Sequence, residues 1–381
     1  MRVVRIILNR RANATHSQQN VPAAGLAHQC ESGRGRCYDR LARPNFFGGA
    51  MTKRVQALSV VAFAASGLAS SAAVAQTAAG AAPAAEPYTV PRTSWGDPDL
   101  QGVWDYRTIT PMERRPELGE RAHYTEEEVA QLEGRAARRM EQPPDENTPV
   151  GLVHAEYLTD PGRFLDESRR TSLIVEPANG RMPPLTPEAQ ARQDRTRAAA
   201  APPRPGGQAN SYTDRPMLER CITRGSAGLP LPTLYNNNIR IAQAPGLVAI
   251  VHEMVHETRL VPLDDSAFGN VRSYLGESRG RWEGETLVVE SRNFNGKAPY
   301  RGAGENLRVT ERYTRVGDGR VEFQVTFDDA TQWTQPWTAA YSMRTAEGEL
   351  YEYACHEGNY GLRNILENAR DEERKAAGAS R

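Results

Sequence analysis

Between Asn238 and Met343 the apolar positions fall in short runs rich in β-branched and aromatic residues, separated by Gly, Asp and Asn. The runs are Ile239 to Ala242, Leu247 to Val251, Thr258 to Leu263, Thr286 to Ser291, Leu307 to Val316, Arg320 to Phe327 and Trp337 to Met343. Their composition suits a pleated, half-buried surface. Turn sequences such as Glu283-Gly284-Glu285 and Gly317-Asp318-Gly319 join successive runs, as hairpins require. The pattern predicts a mainly β protein built on an antiparallel sheet or barrel.

Two segments have helical character. Thr125-Glu126-Glu127-Glu128, placed before Val129 and Leu132, is a capping-box start for a helix to about Met140, which Pro143-Pro144 ends. Thr186-Pro187-Glu188 opens a second helix to about Ala200, followed by a Pro/Gly linker at 201–207. Both are highly charged with little apolar stripe, so both are expected at the periphery. The folded part is expected over residues 90–371, a β-rich domain with helical insertions, and 372–381 reads as a disordered tail.

The N-terminal region changes what composition means. From Met51, Lys53 and Arg54 precede an uncharged apolar run, Val55 to Leu68, and then the small residues Ser71-Ala72-Ala73-Val74-Ala75. This is the layout of a secretory signal peptide over 51–75, cut after Ala75. The apolar run is shorter than the roughly 20 residues that span a bilayer, so no integral membrane segment is expected after cleavage. Residues 1–50, Arg-rich and aperiodic, read as untranslated upstream sequence or a disordered leader. The Ala-rich stretch 76–89 reads as a disordered tether.

Residues 1–75 hold ten of the 47 Lys and Arg and two of the 47 Asp and Glu, so their removal leaves 37 basic against 45 acidic residues, a net of −8. An acidic mature chain argues against nucleic acid or an anionic membrane surface as its main partner. Removal also discards Cys30 and Cys37. The remaining pair, Cys221 and Cys355, is expected to form one disulfide in an oxidising compartment, periplasmic or extracellular. Metal ligation or a catalytic thiol is the alternative, without a CxxC spacing to support it.

Several blocks spread over nearly the whole mature chain resemble a family of uncharacterised exported bacterial proteins. They are WGDPDLQGVW (95–104), RRTSLIVEP (169–177), ERCITRG (219–225), YNNN (235–238), HEMVHETRLVPLD (252–264), GESRGRWEGETLVVE (276–290), ENLRVTERYTR (305–315) and YEYACHEGNYGL (351–362). The resemblance implies export and brings no established activity. It also implies that the His252 position is variable while the equivalents of His256, Glu257 and Arg259 are kept. Gly102-x-Trp104 resembles the opening of lipocalin-like barrels.

His252-Glu253-Met254-Val255-His256 spells the HExxH zinc-hydrolase pattern. That chemistry needs a helix, where residues four apart share one face and two imidazoles can hold Zn²⁺ with Glu253 as general base. On a strand four residues span roughly 13 Å, too far for chelation. Pro245-Gly246 and Pro262 leave little room for a helix, and the flanking runs look like strands. A third ligand would be needed; Glu277, twenty-one residues past His256, is spaced plausibly for one but lies in a Gly-flanked GESRG segment that reads as a turn.

A second polar cluster surrounds Cys355: Tyr351-Glu352-Tyr353-Ala354-Cys355-His356-Glu357-Gly358-Asn359-Tyr360, read as a turn after a strand. If His256, Glu257, Arg259, His356 and Glu357 converge, they offer groups for general acid/base chemistry or a non-zincin metal site at a barrel mouth. The alternative is structural ion pairing, with Arg259 and Arg279 held by carboxylates. Trp282, Trp333 and Trp337 are expected either to line a pocket for an apolar or carbohydrate-like ligand or to pack in the core. No phosphate loop, nucleophile elbow or dinucleotide fingerprint is present in the sequence.

The leading expectation is an exported protein that binds or transforms a small molecule at a barrel mouth. A zinc-dependent hydrolase using His252 and His256, and a non-catalytic cell-envelope module, are the alternatives.

Overall fold

The alternation of inward apolar and outward polar residues produces ten strands: β1 (Gly102–Asp105), β2 (Ile174–Glu176), β3 (Asn238–Ala244), β4 (Leu247–His252), β5 (Thr258–Pro262), β6 (Glu277–Glu283), β7 (Thr286–Arg292), β8 (Arg308–Gly317), β9 (Arg320–Asp328) and β10 (Trp337–Thr345). Three α-helices accompany them among the described residues: α1 (Glu126–Glu141), α2 (Pro187–Ala199) and α3 (Tyr360–Ala379). The computed structural model describes residues 88–141, 160, 162–199 and 209–379. The expected leader, signal peptide and 201–207 linker, and the tether up to residue 87, lie outside them.

All seven expected runs are strands. The two expected helices begin where their caps place them: Thr125 and Glu128 exchange side chain to backbone hydrogen bonds at 2.9 and 3.3 Å, and the Thr186 hydroxyl accepts from the Ala189 N–H at 3.1 Å. Three differences appear. Glu277 starts strand β6 instead of sitting in a turn. The polar segment around Cys355, beyond the end of β10, leads into α3, and residues 372–379 of the expected tail belong to that helix. Leu362, Ile365, Leu366 and Ala369 form the helical stripe that explains α3.

The strand order is β5-β4-β3-β1-β10-β9-β8-β7-β6, with β2 added to β10, and the sheet curls into a nearly closed barrel with β5 alongside β6. Adjacent strands on this path are antiparallel throughout. With nine strands on the path, its two ends must run in the same direction. Hence β5 and β6 meet as parallel neighbours, and among the described residues no backbone ladder joins them. Side chains close this seam instead.

Two devices do so. Gly280 in β6 lets β5 approach, because a Cβ there would lie 2.7 Å from Val261 Cγ1 and from Leu263 Cδ2. Next to it a buried ion pair crosses the interior: Arg259 of β5 donates to both carboxylate oxygens of Glu311 in β8, at 2.5 and 2.7 Å. The Tyr313 hydroxyl donates to Glu311 at 2.6 Å, Arg259 reaches the Ser291 hydroxyl at 3.4 Å, and Ser291 bonds Ser278 of β6 at 2.7 Å. Burial opposes the charge on Arg259, but the Glu311 carboxylate outweighs it and holds the guanidinium pKa above its usual value.

The rest of the interior is apolar and aromatic. Phe327 stacks on Trp337 at 4.2 Å, Trp333 meets Trp337 edge-on at 5.6 Å, and Tyr313, Phe323 and Tyr341 form a second column at 4.9 and 5.2 Å. Such rings each contribute on the order of 1.5–3 kcal/mol through burial.

Removing one partner of the ion pair strands a charge in the interior. Glu311→Ala is expected to lower unfolding free energy by about 3–5 kcal/mol. The double variant Arg259→Met/Glu311→Leu should lose less than the single one. Urea denaturation followed by tryptophan fluorescence checks both, and a double variant worse than Glu311→Ala would contradict the stranded charge as the source of the cost.

Candidate functional site

The barrel's two ends differ because of how its strands are joined. At one end β3–β4, β6–β7 and β8–β9 turn tightly, the first through Pro245-Gly246 with Gly246 at φ 72°. At the other end arrive the C-termini of β1, β4, β7 and β9 and the N-termini of β3, β5, β6, β8 and β10, with connections that include 106–173, 177–237, 253–257 and 293–307. Long loops with irregular backbone are where side chains can be placed for binding.

HEMVH lies at this end and is not a helix. His252 ends β4, and residues 254–256 make a single 3₁₀ turn in which Val255 and His256 take φ of 60° and 51°. His252 is fully buried with Nε2 against the Gly228 carbonyl at 2.8 Å, Glu253 accepts from Asn238 Nδ2 at 2.8 Å, and exposed His256 accepts the Tyr353 N–H at 2.7 Å. Each motif residue is held by a different neighbour, so the one-face geometry that HExxH chemistry requires is not formed. Glu277, plausibly spaced for a third ligand, pairs with Arg279 at 2.5 Å. Among the described residues no group of three or more His, Cys, Asp or Glu is arranged to hold a metal ion.

The expected acid/base set is distributed rather than gathered in one cavity. Glu257 is buried, with one oxygen accepting from the Thr223 hydroxyl and, at 2.7 Å, from the Arg224 N–H. Arg259 points into the barrel as the ion pair above. His356 and Glu357 are exposed on the turn before α3. The expected disulfide is present: Cys221 and Cys355 are bridged, their Cα atoms 5.8 Å apart. It brings the 351–360 segment against the 217–225 loop, next to His256.

Trp333 and Trp337 are 2% and 0% exposed and belong to the core, with Trp282 packed partly buried against it. The aromatic column does reach outward through another residue. Tyr300, in the β7–β8 loop, stacks on Phe327 at 5.0 Å and lies 6.4 Å from Trp337.

Tyr300 opens onto a cleft of about 860 Å³ at the long-loop end. Its walls come from Thr108 to Met112 after β1, Leu173 before β2, Leu218 to Tyr235 before β3, and Met254 from the centre of HEMVH. The lining is mostly apolar. Two arginines, Arg139 of α1 and Arg224, also line it, and among the described residues no Asp or Glu does.

Arg224 is the most constrained polar group there. Nη1 donates to the Tyr106 hydroxyl at 2.8 Å, Nη2 donates to the Leu231 carbonyl, and the guanidinium lies 5.9 Å from the Tyr106 ring centroid. Its buried Nε has no hydrogen-bond partner. Among the described residues no carboxylate lies within 4 Å of its side-chain nitrogens. The chain pattern singled out neither Arg224, Met254 nor Tyr300 for this role. The available signal was position: Arg224 stands three residues past Cys221, in a polar loop rich in Gly and Pro.

A second cleft, about 660 Å³, follows the seam and is lined by Glu257, Arg259, Leu260, Val271, Leu275, Glu277 and Arg279 among others. The two clefts share no residue. His256, His356 and Glu357 line neither.

Comparison of the chain with models of protein families, with curated proteins and with solved structures gave no match.

Burial lowers the His252 pKa well below 6.5, aided by the positive charges of Arg224 and Arg259. The unfolded chain then binds a proton that the folded one refuses. Stability is therefore full above pH 6.5 and falls as pH drops toward the depressed folded value, by at most about 1.4 kcal/mol per pH unit from this one group. His252→Asn should flatten that part of the profile in thermal melts between pH 7.5 and 5. An unchanged slope would show that His252 is not the group responsible.

Cys221 and Cys355 are 134 residues apart. In the chain-entropy model, Cys221→Ser/Cys355→Ser should cost about 4–5 kcal/mol. Urea titrations of the oxidised protein and the double variant measure this difference directly.

Proposed function

We propose that this protein is exported and binds an apolar small molecule in the cleft at the long-loop end of its barrel. The observation that carries the reading is the cleft itself: about 860 Å³, apolar in most of its lining, with Tyr300 continuing the stacked aromatic core to its wall. Volume and lining fall in the range of small-molecule sites. An apolar ligand suits this wall better than a carbohydrate, which needs more polar groups to replace its hydration.

Export draws support from the disulfide, a bond typical of oxidising compartments, and from the leader-like sequence at 51–75. No helix among the described residues is long and apolar enough to cross a membrane. The resemblance to exported bacterial proteins of unestablished activity agrees with that placement. Glu257, His256 and the disulfide act as supports for the loops that shape the cleft. No arrangement of them around a common reacting centre is needed for binding.

The neutral fluorescent probe N-phenyl-1-naphthylamine tests this. It should bind with saturable one-to-one stoichiometry. Leu234, 60% exposed on the cleft wall, can be changed without disturbing the core. Leu234→Asp should weaken binding roughly tenfold or more, by removing apolar contact worth about 1.5–3 kcal/mol. Leu260→Asp, on the seam cleft, should leave binding unchanged. Absence of saturable binding, or weakening by Leu260→Asp alone, would overturn the proposal.

A further inference from the structure

The apolar cleft contains a charge that no carboxylate among the described residues pairs with. Arg224 is held at its wall by three fixed contacts: its own N–H on Glu257, and its guanidinium on the Tyr106 hydroxyl and the Leu231 carbonyl. The side-chain contacts are neutral and use two of the five guanidinium N–H donors. The Nε–H is buried without an acceptor. A partly desolvated cation of this kind is costly unless an anion joins it.

Several arginines elsewhere are paired with carboxylates, while the buried Arg114 is held, without one among the described residues, by the Thr171 hydroxyl and the Gly119 and Ala178 carbonyls. Arg259 has Glu311, Arg279 has Glu277, Arg215 has Glu219 and Arg281 has Glu283 and Glu290. Among the described residues that line the cleft there is no acid to pair with Arg224. Arg139, exposed on α1, adds a second positive charge to the same wall.

The effect of Arg224 reaches its neighbours. Together with burial it lowers the pKa of His252, keeping that imidazole neutral beside it. Glu257 lies behind the loop, with its bonded oxygen on the Arg224 backbone instead of the guanidinium.

We infer that the ligand of this cleft is an amphipathic monoanion, an apolar body ending in one carboxylate-like head, with Arg224 binding the head and Arg139 adding electrostatic attraction at the rim. Guanidinium groups favour such heads through charge-assisted, geometrically matched hydrogen bonds. The apolar body lies against Tyr300, Met254, Leu218 and Leu234. This inference rests on the binding role proposed above and specifies its ligand class.

Calorimetric titration with octanoate and with 1-octanol separates the two. These probes share an apolar chain and differ in charge. Octanoate should bind at least tenfold more tightly than octanol, and Arg224→Met should remove that preference, so that the variant binds the two probes equally. Because Arg224 also holds the Leu231 loop, Arg139→Gln serves as a second variant at an exposed position. It should weaken octanoate two- to fivefold in low salt, a loss that shrinks as salt is raised. Equal binding of the two probes would overturn the anion assignment and leave the apolar cleft standing. Failure of both probes to bind would overturn both readings.

Discussion

The barrel depends on the contact between Arg259 and Glu311. A sheet whose nine path strands are all antiparallel to their neighbours cannot close on itself antiparallel, so β5 and β6 meet in the same direction without a backbone ladder. Closure falls to side chains. The bidentate pair, extended by Tyr313, Ser291 and Ser278, links β5 to β8, β7 and β6. Gly280 provides the close approach that lets Val261 and Leu263 cover the same line. Burying two charges is expensive, and each is tolerated because the other, with its hydrogen bonds, replaces the lost water.

Closure has consequences at the long-loop end. Arg259 holds the inside of β5 immediately after Glu257, and Glu257 turns back to bind Thr223 and the Arg224 backbone. The Cys221–Cys355 bridge fixes the same loop from its other side, and His256 receives the Tyr353 N–H nearby. Three residues with the appearance of catalytic groups thus position a loop. The residues presented to the cleft, Arg224, Met254 and Tyr300, are carried by that loop, by the turn within HEMVH and by the β7–β8 connection.

Much of the fold was legible along the chain. Strands β3, β4, β5, β7, β8, β9 and β10 carry apolar runs because one face of each is buried, and a capped, charged segment such as Thr125 to Met140 needs little tertiary support to declare itself. Strand β6 was hidden because its inward residues are Ser278, Gly280 and Trp282, chosen for the polar network and the close seam. The C-terminal helix α3 was masked by charge, although its stripe of Leu362, Ile365, Leu366 and Ala369 was present. The site was less legible, since apparent motifs had local explanations: His252 and His256 sit four apart, but a positive-φ turn sends them to different partners.

The sequence by itself determined the β class, the helix caps, the pairing of the two cysteines that follow the leader-like segment, and an acidic balance beyond that segment. These depend on local periodicity, on local hydrogen bonding or on counting residues. Only the tertiary structure decided that Arg259 is an interior strut, that Trp333 and Trp337 are core, and that Arg224 stands at an apolar wall where no described residue is an acid. Charge pairing and exposure are set by what distant segments bring to the same place. Residues 106, 224 and 231 meet because the sheet curls and a disulfide holds the loop above it.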